Sequence, residues 1–128
     1  MSQPVPTWLR VIFKSARNRA LKKGLRFDIK VEDLLKLFTD QDGRCFWFNV
    51  PMMFPMDDED ILRSPFLPSL DRVDSSRGYT HGNVVFACWA ANAAKGSCPP
   101  ERWEEFLGYL RAGLQVGPEG VEPPTHRS

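Results

Sequence analysis

The stretch PSLDRVDSSRGYTHGNVVFACWAANAAKG, from Pro68 to Gly96, holds the residue types that could do chemistry. It sets an acid, Asp71, in one short alternating run, an asparagine, Asn83, at the head of the next, and a second asparagine, Asn92, among alanines shortly before Lys95. A carboxylate and an amide oxygen are hard donors of the kind magnesium accepts while keeping several waters. If Asp71 and Asn92 meet, they can hold a divalent ion, Mg2+ or Mn2+, beside a scissile phosphate. The plainer alternative is a hairpin in which Asp71, Asp74 and Asn83 make only turn hydrogen bonds, and it leaves Asn92 and Lys95 without a reason.

Bringing two distant oxygens together requires the chain to fold back and then cover the fold. Ser69 to Asp74 reads as a strand, Ser75 to Gly82 as a polar turn, Asn83 to Cys88 as a second strand, and Trp89 to Lys95 as a short helix stopped by Gly96. Upstream, Trp8, Leu9, Ile12, Phe13, Ala16 and Ala20 recur at helical spacing from Thr7, a candidate cap, to Lys23, with Gly24 as the stop. Arg26 to Ile29 alternates like a short strand. Val31 to Phe38 has the spacing of a second helix, its Leu34, Leu35, Leu37 and Phe38 turned to the core. Met52, Met53 and Phe54 read as core or lid packing. Pro100 to Leu110 forms a last helix with Trp103, Phe106, Leu107 and Leu110 on one face.

The net charge of +1 hides an asymmetry. Up to Lys30 the cations Arg10, Lys14, Arg17, Arg19, Lys22, Lys23, Arg26 and Lys30 face Asp28 alone, whereas residues 31–64 are dominated by acids. An ordinary solvated helix mixes signs to gain i,i+4 pairs, so a helix of cations alone points to phosphates. No apolar run is long enough for a bilayer, the N-terminus lacks the pattern of a secretory signal, and three cysteines do not make a disulfide framework. These features lead to an expectation of a cytoplasmic protein with no membrane partner. The proline-flanked stretch from Pro55 to Pro68 has the composition of an exposed insertion, and its acidic residues 57–60 offer a possible docking surface for a protein partner.

The segment DRVDSSRGYTHGNVVFACWAANAAKG, with GRC upstream, resembles the HNH (ββα-metal, His-Me finger) endonucleases, in particular compact phage and prophage members. The resemblance runs from Asp42 to Gly96. It implies an α+β fold: a ββα-metal core of hairpin plus helix, flanked by the basic N-terminal helix, a second helix and a C-terminal helix. In domain terms, residues 1–30 form a basic helix and strand within the single domain, 31–113 the HNH-like part, and 114–128 a Pro-, Gly- and Glu-rich disordered tail. The family pattern maps the metal ligands onto Asp71 and Asn92, the loop-pinning asparagine onto Asn83, and a phosphate-binding cation onto Lys95.

Two departures from that pattern bear on function. Where the family carries the histidine that deprotonates water, this chain has Arg72, and a guanidinium keeps its proton at any working pH. Arg72 can still bind phosphate, and His81, two residues before Asn83, is the substitute base within the motif; His126 in the tail is a weaker one. Further, Cys45 and Cys88 each lack the second thiol of a CxxC pair, so no structural zinc is expected, and packing by Trp47, Phe48, Phe86 and Trp89 takes its place. The resemblance thus implies a metal-dependent endonuclease that cleaves or nicks double-stranded DNA, with Arg10, Lys14, Arg17, Lys22, Arg77 and Lys95 on the nucleic acid and a phage or prophage origin in a bacterial cell. The alternative that Arg72 favours is a catalytically impaired DNA- or protein-binding module on the same fold.

Overall fold

The computed structural model describes residues 4–53 and 64–115. Their order is α1 (Thr7–Lys23), α2 (Val31–Asp40), β1 (Pro68–Arg72), β2 (Val84–Cys88), α3 (Trp89–Lys95) and α4 (Pro100–Gln115). The chain divides into two compact units, Met1–Ser97 and Cys98–Ser128. The acidic residues 57–60, Phe54 and His126 lie outside the described residues, as does the tail from residue 116.

In the first unit, β1 and β2 form an antiparallel hairpin with Asp71 opposite Val85 and Ser69 opposite Ala87. Every residue of β2 is buried, as its unbroken VVFAC run requires. The strand is covered by an aromatic triangle. Trp8 of α1, Phe38 of α2 and Phe86 of β2 meet edge to face, with centroids 5.0 Å (Trp8–Phe38), 5.3 Å (Phe38–Phe86) and 6.4 Å (Trp8–Phe86) apart. Leu9, Ala16 and Ala20 form the buried stripe of α1, and Leu34 is the buried leucine of α2.

Several expectations are corrected. Arg26 to Ile29 is not a strand. It makes one parallel bridge, Phe27 with Tyr79, whose bonds are Tyr79 N–H to the Arg26 carbonyl and Asp28 N–H to the Tyr79 carbonyl, each 2.9 Å. The partner backbone there is a loop, so no ladder can extend. Pro6, not Thr7, stands at the cap of α1, without a side-chain hydrogen bond, whereas Gly24 ends the helix at φ 66°, a conformation that suits glycine. The last helix runs through Gly113 to Gln115, beyond the expected Leu110. In that second unit Trp103 and Leu107 are buried and Trp103 stacks on Phe106, which is itself half exposed. Trp89 is also half exposed and Met53 lies at the surface; of the four aromatics expected in place of a zinc staple, Trp47 and Phe86 are the buried ones. Among the described residues no helix is long and apolar enough to cross a membrane.

The segment after α2 closes a small loop in which Cys45 N–H bonds Val50 O (2.8 Å) and Met52 N–H bonds Gly43 O (2.8 Å), and it docks on β2 through Phe46 N–H to Phe86 O (3.0 Å). Gln41 completes this edge. Its side-chain oxygen accepts from Phe86 N–H (2.8 Å) and its amide donates to Phe86 O (2.9 Å), so one side chain does the work of a neighbouring strand. Replacing Gln41 by alanine leaves the buried Phe86 N–H unpaired, and urea unfolding is expected to show a loss of about 1–3 kcal/mol.

Candidate functional site

Alternation along β1 puts Ser69 and Asp71 on one face of the strand. Asp71 is 6% exposed. Its Oδ2 accepts the indole N–H of Trp47 at 2.8 Å, and the Lys95 ammonium stands 3.4 Å from Oδ2 and 3.5 Å from Oδ1. The Lys95 side chain is fully buried, donates to the Arg72 carbonyl at 2.8 Å and lies 5.7 Å from the Trp47 ring centroid. Burying an ammonium costs several kcal/mol unless it is paired and hydrogen-bonded. The carboxylate, a carbonyl and a ring face together offset that cost. The clamp on solvent-borne phosphate expected of Lys95 is therefore not what its position provides, because the ammonium is spent on Asp71 and Arg72 inside the protein.

Asn92 approaches the same face of β1. Its amide nitrogen donates to Ser69 Oγ at 3.0 Å, and that hydroxyl donates to the Ala87 carbonyl at 2.9 Å, which leaves Asn92 Oδ1 as an acceptor. Asp71 and Asn92 line one cavity of about 210 Å³, as their sequence positions require if they are to act together. The same cavity is lined by Arg19 and Lys23 of α1, by Arg72, and by Tyr79.

The β1–β2 loop is fixed by two side chains. Asn83 is buried; its oxygen accepts from Asp74 N–H (2.9 Å), and its amide donates to the carbonyls of Gly78 (2.8 Å) and Asp74 (3.2 Å). Arg72 reaches across the loop, donating to the carbonyls of Ser75 (2.6 Å) and Arg77 (2.9 Å), while its guanidinium carbon sits 5.2 Å from the Tyr79 ring centroid. Arg72 is thus a loop clasp as well as part of the cavity wall. Asp74 begins the turn; hydrogen bonds from the hydroxyl and backbone of Ser76 hold its carboxyl below the usual 3.8, with smaller help from Arg77 and Lys95. Beneath the loop, an aromatic series Phe13, Phe27, Tyr79 ties it to α1 at centroid spacings of 5.3 and 5.6 Å.

His81 does not line the cavity that holds Asp71. It is exposed, with Nε2 3.5 Å from Asp33 Oδ2, and lines a separate cavity with Arg77. Among the cations of α1, sequence reasoning singled out Arg10, Lys14, Arg17 and Lys22, all exposed. At about 100° per residue, Arg10, Lys14 and Arg17 point roughly 140–180° away from Arg19, while Arg19 and Lys23 are the pair brought to the cavity. Ser69 and Tyr79 are not singled out by sequence reasoning, and Trp47 is expected only as core packing. The alternation that selected Asp71 also selects Ser69, but nothing local marks Trp47, whose role depends on a loop docking across the sheet.

No protein-family model matches this chain, and no curated protein matches it either. Among solved structures, one described as the rare-cutting HNH restriction endonuclease PacI, with an extraordinary mechanism of DNA perturbation, superposes with a TM-score of 0.60. The match spans 83% of this chain and 79% of that one at 16% identity. The chain shares the fold of that structure, a β-hairpin and a short helix flanked by longer helices. Within this fold the donor set for a metal is spare: among the described residues no three His, Cys, Asp or Glu side chains cluster in a way that could hold an ion. Asp71 and Asn92 still fit a magnesium-type ion that keeps its waters, since the Asp71 carboxylate has lone pairs beyond those given to Trp47 and Asn92 Oδ1 is an acceptor. A cation there must share Asp71 with Lys95.

Removing one partner of this pair strands the other charge. Lys95→Met is expected to lower unfolding stability by about 3–5 kcal/mol, and adding Asp71→Asn, which keeps an acceptor for Trp47, to restore most of it. Denaturant unfolding of the two single variants and the double variant measures the coupling.

Proposed function

We propose that this chain binds the phosphate backbone of double-stranded DNA in the cavity between α1, β1 and α3, as an HNH-fold module with an impaired hydrolytic site. The observation that carries this reading is the charge of the cavity wall. Arg19, Lys23 and Arg72 surround a single carboxylate, Asp71, whose charge is already opposed by buried Lys95. Such a site attracts an anion in the absence of any metal. Arg19 and Lys23 project from the helix that carries the excess of basic residues, so further phosphates have partners along it. No histidine among the described residues lines the cavity, Arg72 cannot serve as an ordinary base, and the Asp71 carboxylate is held by Lys95 and Trp47, so proton removal from water is poorly served there.

One observation favours a second reading, cleavage or nicking of DNA: Asp71 and Asn92 open into one cavity. An ion held by the two would polarise a phosphodiester and lower the proton affinity of a bound water. In that reading the chain's own work is positional. Ser69 orients Asn92, Trp47 orients Asp71, and Arg19 and Lys23 hold the strand.

Retardation of a labelled duplex in EDTA, over a salt series, tests the first reading. Binding is expected without metal, and Arg19→Ala with Lys23→Ala is expected to reduce the slope of log K against log salt by about 1.8, two contacts' worth. Absence of retardation at low salt would sink it. The same protein, incubated with supercoiled plasmid and Mg2+ or Mn2+, is expected to leave the plasmid intact. Nicking that disappears in both Asp71→Asn and Asn92→Ala would establish the second reading instead.

A further inference from the structure

We infer that the β1–β2 loop separates two phosphate sites, and that a second cavity on its far side, built around Arg77, grips another phosphate of the strand held at the Asp71 cavity. The inference rests on the DNA-binding reading above and extends it to the part of the backbone that must be engaged.

The loop's residues divide between two cavities. Ser75 and Tyr79 line the cavity of Asp71, whereas Arg77, Gly78, Thr80 and His81 line a second one of about 460 Å³, whose other wall is Arg26 and Asp28. From Ser75 to Thr80 the chain can span no more than roughly 18 Å. One DNA strand carries a phosphate per about 3.4 Å of helix axis, so a strand crossing the loop presents more than one phosphate over that distance.

The charges of this second cavity leave one cation to spare. Arg26 is paired with Asp28 at 2.6 Å, and His81 stands 3.5 Å from Asp33. The exposed Arg77 guanidinium makes no hydrogen bond or ion pair among the described residues. Its electrostatic neighbour is Asp74, whose carboxylate is occupied by Ser76. A guanidinium offers paired donors that match two oxygens of a phosphate, and Thr80 lines the same cavity.

The backbone that presents Arg77 is held firmly. Arg77 N–H bonds Asp74 O at 3.0 Å, its carbonyl accepts from Arg72 at 2.9 Å, and the next carbonyl, Gly78, accepts from Asn83 at 2.8 Å. Gly78 packs so closely on Arg26 that a Cβ there would meet the Arg26 carbonyl oxygen at 2.5 Å. A cation on a pre-set loop loses less freedom on binding than one on a free tether. Arg72 ties the two sites together, since one guanidinium lines the Asp71 cavity while clasping the carbonyl of Arg77. Gripping a strand on both sides of a fixed loop sets its direction over Asp71 and Asn92, which a single contact cannot do.

The test compares wild type, Arg77→Ala, Arg77→Lys and Arg19→Ala/Lys23→Ala on one labelled duplex in EDTA across a salt series. Arg77→Ala is expected to reduce the salt slope by about 0.9 and to weaken binding about tenfold at low salt, with thermal unfolding unchanged because the side chain is exposed. Arg77→Lys should keep the slope and lose part of the affinity. If Arg77→Ala binds like wild type while Arg19→Ala/Lys23→Ala loses slope, the second site is overturned and the DNA-binding reading stands. If wild type fails to bind the duplex, both fall together.

Discussion

A carboxylate and an ammonium share the interior of this small protein, and the rest of the site is arranged around that contact. Asp71 belongs to the hairpin, Lys95 to the end of α3, and Trp47 to the loop that follows α2. Three segments that are distant in sequence are thereby tied at one point. The pairing also sets what the cavity can accept. With Asp71 already opposed by Lys95, the wall formed by Arg19, Lys23 and Arg72 is cationic overall, and a phosphate gains more there than it would beside a bare carboxylate. A divalent ion reaching Asp71 competes with an ammonium tethered in place, whose effective concentration is high.

The β1–β2 loop adds a second constraint. Asn83 and Arg72 satisfy its carbonyls from opposite directions, and Gly78 permits a backbone approach to Arg26 that any side chain would block. The outcome is a loop whose carbonyls are held by side chains from both of its ends. Tyr79 and Thr80, neighbours in sequence, line different cavities.

Much of this architecture is legible in the amino-acid sequence. Two strand-like runs around a polar turn place the hairpin within two residues at each end, the alanine-rich run places α3, and the residue types with the family resemblance pick out Asp71 and Asn92 as a pair. What could not be read depends on which way a symmetric element is turned. The buried stripe Leu9, Ala16 and Ala20 leaves α1 with two flanks, both basic, and only packing against β1 decides that Arg19 and Lys23, not Arg10 and Arg17, meet the cavity. Lys95 was misread for a related reason. A lysine one turn beyond a candidate ligand can reach outward or inward, and the inward choice is made by Asp71, the Arg72 carbonyl and the Trp47 ring, none of them local. Trp89 shows the converse: an aromatic residue at the first turn of a helix was assigned to the core, yet the helix presents that position to solvent.

Whether the Asp71–Lys95 contact persists when nucleic acid is bound decides between phosphate binding and metal binding at this site. A crystal structure of the chain with a short duplex grown in Mn2+, with anomalous scattering to locate the metal, addresses this directly. The account requires a backbone phosphate against Arg19 and Lys23, Lys95 still on Asp71, and no anomalous peak at that carboxylate. A manganese ion bridging Asp71 and Asn92 with Lys95 withdrawn, or a duplex lying on a different face, would contradict it.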